Sequence, residues 1–324
     1  PHFFNNKIYT IPDYQRGYSW QTKNVLDLLI DINNAIHLNK PHFMGTINVH
    51  PQKEKIRVGV NNFTNYHVVD GQQRFTTLIL IISYLLRELT NHQSTKDDAS
   101  DKIRMYLKNK DSYIFRYAID KISDDYFRSV ILELEKKSSL DENIYTRNLS
   151  NAKNTIKDFF KGKNDLETLL NYLNAIEEKL VFNEFILVDG TEIGVVFETM
   201  NNRGKPLTTL EKLKNRLIYL NDKLEQPEED KNLLRKNIND GWGKIYNALA
   251  QNPLQYLDED EFLSAHLSLY RKPKESVFSE KIAEIKVFEM FEINSNIDEL
   301  ASCALMYKLE DKFQSKQTVK RLKI

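Results

Sequence analysis

The stretch Val68-Val69-Asp70-Gly71-Gln72-Gln73-Arg74-Phe75-Thr76-Thr77 says more about chemistry than any other part of this chain. An apolar run ends at Asp-Gly, two carboxamides and a guanidinium follow, and an apolar helix is predicted from Thr76 onward. A strand that feeds a glycine turn and then a helix N-terminus is a phosphate-binding arrangement. The unpaired backbone N–H groups and the helix dipole both favour an anion there. Arg74 would add a planar cationic fork at that entrance. Asp70 could hold a metal-bound water or a ribose hydroxyl, and Gly71 lets the backbone approach a ligand. Gln72 and Gln73 can donate to phosphate or orient a water. The competing reading is a tight strand-to-helix turn with Arg74 in a structural ion pair.

Two further stretches carry similar chemistry. Ile11-Pro12-Asp13-Tyr14-Gln15-Arg16-Gly17-Tyr18-Ser19-Trp20 packs three aromatics, an arginine and a glutamine behind an extended entry set by Pro12. Tyr14, Tyr18 and Trp20 offer stacking surfaces, and Gln15 and Arg16 offer hydrogen-bonding forks for bases or phosphates. The alternative is a surface turn whose aromatics plug the core. Phe197 to Thr208 contains Asn201-Asn202-Arg203-Gly204-Lys205, a turn carrying cations, before a helix that opens at Thr208. Its plainer reading is a helix connection with a glycine C-cap. No P-loop, nucleophile elbow or His-x-x-x-His pattern is present. His42 and His50 lie eight apart, and would share a face only if one strand ran unbroken.

The elements that must position these residues follow from periodicity. Strands are predicted at Ile8–Ile11, Phe43–Val49, Ile56–Val60 and Tyr66–Val69, with a polar turn at Asn61-Asn62. Gly45 marks a close backbone approach. Val25, Leu28, Leu29, Ile32 and Ile36 have helical spacing. His92 to Ser100 reads as a polar linker, and helical spacing recurs near 101–109, 123–137, 150–161 and 165–180. Phe185–Val188 reads as one more strand, and Thr208 with Glu211 forms a capping box. The fold class is therefore α+β. A domain over residues 1–226 carries a helical insertion at about 90–182, and a helical domain spans 227–324, divided near Pro227.

Lys+Arg and Asp+Glu both number 46 in the 324 residues, so net charge gives no polyanion signal, although a local basic groove is compatible with it. Cys303 is the one cysteine, which excludes a disulfide framework and fits a cytoplasmic compartment. The longest apolar run, Leu78 to Leu86, is too short to span a bilayer, so no membrane partner is expected.

Taken together, Ile11-Pro12-x-Tyr14-Gln15-Arg16-x-Tyr18-x-Trp20, Phe43-Met44-Gly45, Asp70-Gly71-Gln72-Gln73-Arg74-x-Thr76-Thr77-Leu78 and Phe197-x-x-x-Asn201-x-Arg203-Gly204-x-Pro206-Leu207 resemble the DUF262 family in order and spacing. This family provides the N-terminal domain of GmrSD-type modification-dependent restriction enzymes and of the related phosphorothioate-sensing SspE proteins. The resemblance covers roughly residues 8–220. It implies a ParB/sulfiredoxin-like mixed-sheet core with inserted helices, followed by a mainly helical region. It also implies that the Asp-Gly-Gln-Gln-Arg loop binds nucleotide phosphates with NTP hydrolysis, often of GTP. The Tyr14-Gln15-Arg16 stretch would line the nucleotide pocket or sense modified DNA, together with Tyr18 and Trp20. A sulfiredoxin-type reductase is disfavoured, because Cys303 is far from the loop in sequence. The His and Asn motif of the HNH nuclease that relatives carry is not identifiable, and His266 is the single histidine after residue 92. Cutting is therefore expected from a further domain or a partner subunit.

The leading expectation is an NTP-hydrolysing sensor of a restriction or phage-defence protein. Asp70, Gln72, Gln73 and Arg74 would be catalytic, with Asp70 on Mg²⁺ or a water. Tyr14, Gln15, Arg16, Gly71, Asn202, Arg203 and Lys205 would bind the nucleotide. Mg²⁺ is expected because clustered phosphate charge needs neutralising at a hydrolytic site. Modified DNA, a nuclease domain or subunit, and a second copy of the chain are the expected partners. The second reading is a non-enzymatic DNA-binding or adaptor module, and the third a nuclease using Asp70 and a neighbouring carboxylate.

Overall fold

A computed structural model describes residues 4–118, 121–137, 140, 142–188, 207–250, 258–271 and 276–291. The chain divides into two compact units, Pro1–Thr191 and Glu192–Ile324.

The first unit opens with β1 (Lys7–Ile11), α1 (Thr22–Leu38), β2 (His42–Val58), β3 (Asn61–Asp70) and α2 (Gln72–Thr90). Next come α3 (Lys96–Tyr106), the small hairpin β4 (Lys108–Asn109) and β5 (Ser112–Tyr113), and β6 (Phe115–Tyr117). Helix α4 (Lys121–Tyr126) runs into a π-helical turn at Phe127–Ile131, before α5 (Ile144–Phe160), α6 (Leu166–Glu178) and β7 (Leu180–Ile186). The sheet order is β6-β1-β3-β2-β7. Strand β1 runs parallel to β3 and β6, β2 is antiparallel to β3, and β2 is parallel to β7. The sheet is thus mixed, built from strands at both ends of the unit with helices between, and the α+β expectation holds.

Helix α2 is the axis of this unit. Thirteen of its 19 residues are buried, far more than one amphipathic stripe supplies, so it is enclosed on most sides. Phe75, fully buried in its first turn, meets the Tyr9 ring edge-on at 4.8 Å and the Phe115 ring at 5.2 Å. These contacts fix the helix start against β1 and β6.

Three local expectations are corrected. The β2–β3 turn is Gly59-Val60 rather than Asn61-Asn62, since Val58 already pairs with Asn61. A two-residue hairpin needs left-handed backbone, and Gly59 supplies it at φ 64°. The polar segment 92–100 is not all linker: α3 starts at Lys96, with Asp97 and Asp98 in its first turn suiting the helix dipole. The helical spacing over 123–137 stops at Ile131, and Glu133 at φ 49° turns the chain out of the helix.

The second unit contains α7 (Thr209–Asp222), α8 (Glu228–Ala250), α9 (Glu259–Ser268) and α10 (Glu280–Met290). The break at 226–229 falls between α7 and α8. The predicted capping box is present, with Thr208 accepting from the Glu211 amide and Glu211 from the Thr208 amide. Asp260 accepts from the Thr209 amide at 2.7 Å, and Trp242 Nε1 donates to the Leu210 carbonyl at 3.2 Å. Asn221 is 1% exposed, and among the described residues neither atom of its carboxamide has a hydrogen-bond partner. An unsatisfied buried polar group costs roughly 1–3 kcal/mol, whereas an apolar group of similar shape does not. Asn221→Leu is therefore expected to stabilise this unit by about 1 kcal/mol or more, read as a higher urea midpoint.

Candidate functional site

The site begins with a bulge. Asn48 pairs with Asp70 while Val49 pairs with Val68, so Val69 is an extra residue on β3. The bulge sets Asp70 beside Asn48, whose Nδ2 donates to Asp70 Oδ2 at 3.2 Å. Gly71 follows at φ 87°, and a Cβ there would stand 3.2 Å from the Thr46 carbonyl oxygen. Both the left-handed backbone and the crowding select glycine. Helix α2 starts at the next residue, which puts Gln72, Gln73 and Arg74 in its first turn.

The Arg74 guanidinium lies over Gly45 of β2, where an added Cβ would be 2.7 Å from Nη1. The close approach expected at Gly45 is therefore real, and it serves Arg74. Burial lowers the Arg74 pKa below the usual arginine range, and the nearby Asp70 charge partly offsets this. Among the described residues the guanidinium makes no hydrogen bond or ion pair, so the structural ion pair of the plainer reading is not what holds it. A half-buried guanidinium without acceptors is costly, and an anion would satisfy it. Gly45→Ala is expected to displace Arg74 and to strain a backbone at φ 92°. The predicted cost is about 1–3 kcal/mol of stability together with weaker anion binding, measured by denaturation and calorimetry.

The glutamines have a different task from the one their types alone imply. Gln72 Nε2 donates to the Arg16 carbonyl at 3.0 Å, and Gln73 Nε2 donates to the Gly17 carbonyl at 3.1 Å. Gln73 Oε1 accepts from the Ser19 amide at 2.8 Å. Gln15 Nε2 donates to the carbonyls of Val68 and Val69, at 3.1 and 2.6 Å, where the bulge leaves the ladder interrupted. The segment from Tyr14 to Trp20 is thereby laid against the Asp70–Arg74 turn, so two of the three motifs meet.

Within that segment Tyr18 is a core residue, 1% exposed. Its hydroxyl meets Thr77 Oγ1 at 2.7 Å, and burial pushes its pKa up against the lowering effect of that bond. Trp20 packs against the same core while remaining partly exposed, and Tyr14 and Arg16 are half-buried. Asn202, Arg203 and Lys205 lie outside the described residues. His42 sits against Asp31 at 3.7 Å and His50 against Gln52 at 3.0 Å, so the two histidines do not form one site. Among the described residues no group of three or more His, Cys, Asp or Glu side chains could hold a metal ion.

Sequence reasoning missed Asn48, Asn148 and Tyr145. Asn148 Nδ2 donates to the Tyr18 carbonyl at 3.0 Å, and the Tyr145 ring lies where a Gly17 Cβ would be. The available signal was a buried asparagine inside the apolar stripe Tyr145, Leu149, Ala152, Ile156 of α5. Such a residue needs a partner.

A mixed-sheet α+β domain thus carries, at a strand–turn–helix junction, a guanidinium with no hydrogen-bond partner among the described residues, a chemistry that suits an anion. The GmrSD restriction endonuclease N-terminal domain matches residues 2–218, and the chain belongs to this family. It is thus part of a restriction/phage-defence protein. A search of the curated proteins found no match. No helix among the described residues is long and apolar enough to cross a membrane.

Proposed function

We propose that this domain is the nucleotide-binding, NTP-hydrolysing sensor of a modification-dependent DNA restriction protein. Its core is ParB/sulfiredoxin-like, GTP is the favoured nucleotide, and an HNH domain or partner subunit does the cutting. The observation that carries this reading is the half-buried Arg74 guanidinium beside Asp70, without a hydrogen-bond partner among the described residues. Phosphate oxygens would take its fork and the first-turn N–H groups of α2, which have no intrahelical acceptor. Asn202, Arg203 and Lys205 would close the site, and the loop from Tyr14 to Trp20 would meet modified DNA.

Mg²⁺ fits these residues in one way. It is commonly held by one or two carboxylates together with substrate phosphates rather than by an all-protein cage. Asp70, oriented by Asn48, would be the carboxylate ligand, and the ion would neutralise phosphate charge.

The test measures NTP binding and turnover for the wild-type chain and Arg74→Ala, with and without modified DNA. Turnover that Arg74→Ala abolishes supports the reading, and a wild type that binds no NTP sinks it. The adaptor reading gains from one observation. The side-chain amides of Gln72 and Gln73 already donate to backbone carbonyls, which leaves fewer groups to orient an attacking water. Binding without turnover would select that reading. DNA cleavage by this chain that Asp70→Ala removes would select the nuclease.

A further inference from the structure

Gln73 precedes Arg74 by one residue, and both ends of its carboxamide are bonded to the aromatic loop, to the Gly17 carbonyl and the Ser19 amide. Gln72 adds the Arg16 carbonyl. The backbone from Arg16 to Ser19 lies in no helix or strand, and side chains more than 50 residues further along the chain hold it. Its far side is equally fixed. There α5 supplies the contacts: Asn148 holds the Tyr18 carbonyl, and the Tyr145 ring fills the space over Gly17. A loop packed on both sides has no slack, so rotation of the first turn of α2 must move Gly17 and Ser19, and Trp20 with them.

We infer that Gln73 is a positioning residue that couples occupancy at Arg74 to the conformation of the loop Tyr14–Trp20. The inference rests on the reading that Arg74 receives phosphate. Its consequence is linkage. Whatever the loop binds and whatever Arg74 binds change each other's affinity by the same factor. The coupling passes through two hydrogen bonds of one side chain, which makes it separable from anion binding itself.

Trp20 is a built-in reporter, since the chain has only one other tryptophan, Trp242 in the second unit. The experiment titrates the full chain with GTP and Mg²⁺, and separately with inorganic tripolyphosphate. Binding is followed by calorimetry and loop conformation by tryptophan emission, with Trp20→Phe assigning the signal. In the wild type, binding is expected to shift the emission. In Gln73→Met, which removes both bonds at similar size, affinity is expected within about threefold of wild type and the shift is expected to vanish. Gln73→Glu keeps the acceptor for the Ser19 amide and loses the donor to Gly17. It is expected to retain a reduced shift, and it serves as the test variant if Gln73→Met does not fold. Three outcomes overturn the inference with GTP binding intact: no emission shift in the wild type, a full shift in Gln73→Met, or a tenfold or greater loss of affinity in a folded Gln73→Met. The last would make Gln73 a direct ligand. If the wild type binds neither GTP nor tripolyphosphate, the underlying phosphate reading fails and the coupling fails with it.

Discussion

Arg74→Ala is expected to weaken GTP binding by at least about 10²-fold while leaving the thermal midpoint of the nucleotide-free chain unchanged or slightly raised. The two halves of this result come from one fact. The guanidinium is half-buried and lowered in pKa by desolvation, and among the described residues it has no acceptor. Among the described residues it makes no hydrogen bond that alanine would lose, and its removal relieves a desolvated charge. With phosphate present, a bidentate fork would make two charge-assisted bonds worth roughly 1.5–3 kcal/mol each. At about 1.4 kcal/mol per tenfold, two such bonds correspond to about 10² or more. Arg74→Lys keeps the charge and loses the fork, so it is expected to fall between alanine and wild type. Calorimetry with GTP and a thermal melt without it measure the two halves independently. Unchanged affinity in a folded Arg74→Ala would remove Arg74 from the site, and a large drop in its melting point would show that the residue is structural.

What the sequence disclosed follows the range of the interactions involved. Helix α1 was readable because its apolar positions recur along one face, and Val25, Leu28, Leu29 and Ile32 are buried as that spacing requires. The Thr208–Glu211 box was readable because both partners lie within one turn. Gly45 could be flagged as a close approach, because glycine inside a strand has few other uses. Its counterpart Arg74 lies far along the chain, in a different element, and could not be named. The hairpin was misplaced by two residues, because Asn61-Asn62 and Gly59-Val60 are both plausible turns locally. Only the pairing of Val58 with Asn61 decides between them.

The glutamines show the same limit at the site. Gln72 and Gln73 have the donor chemistry of phosphate ligands, and nothing nearby in sequence competes for them. Their acceptors are carbonyls 56 residues earlier, which become neighbours only after β1, β3 and α2 have assembled. A carboxamide is chemically indifferent between a phosphate oxygen and a carbonyl oxygen, so residue type could not separate ligand from staple. Arg74 differs because its charge, though near Asp70, has no hydrogen-bonded acceptor among the described residues. The two glutamines hold the loop backbone from Arg16 to Ser19, and under the proposed reading Arg74 is the side chain of the three that would take the phosphate.

Phe75→Ala is expected to cost about 3–5 kcal/mol of stability, the top of the range for truncating a single core side chain. Phe75 is fully buried and touches the rings of Phe4, Tyr9 and Phe115, so truncation leaves a cavity where α2 meets β1 and β6. Against a typical folding free energy of about 5–15 kcal/mol, that is a large fraction of the total. Phe43→Ala provides the contrast. Phe43 is 64% exposed on β2, and its loss is expected to stay within about 0.5 kcal/mol. Urea denaturation compares the two directly. Phe75 also adjoins Arg74, so the cavity frees the first turn of α2 to tilt. In Phe75→Ala, GTP affinity is expected to fall even at temperatures where the chain remains folded, with the guanidinium still present. Arg74→Ala has the opposite profile, with binding lost and stability kept. A Phe75→Ala chain that melts several degrees lower yet binds GTP as the wild type does would show that the aromatic anchor sets the strength of the fold and plays no part in aiming Arg74.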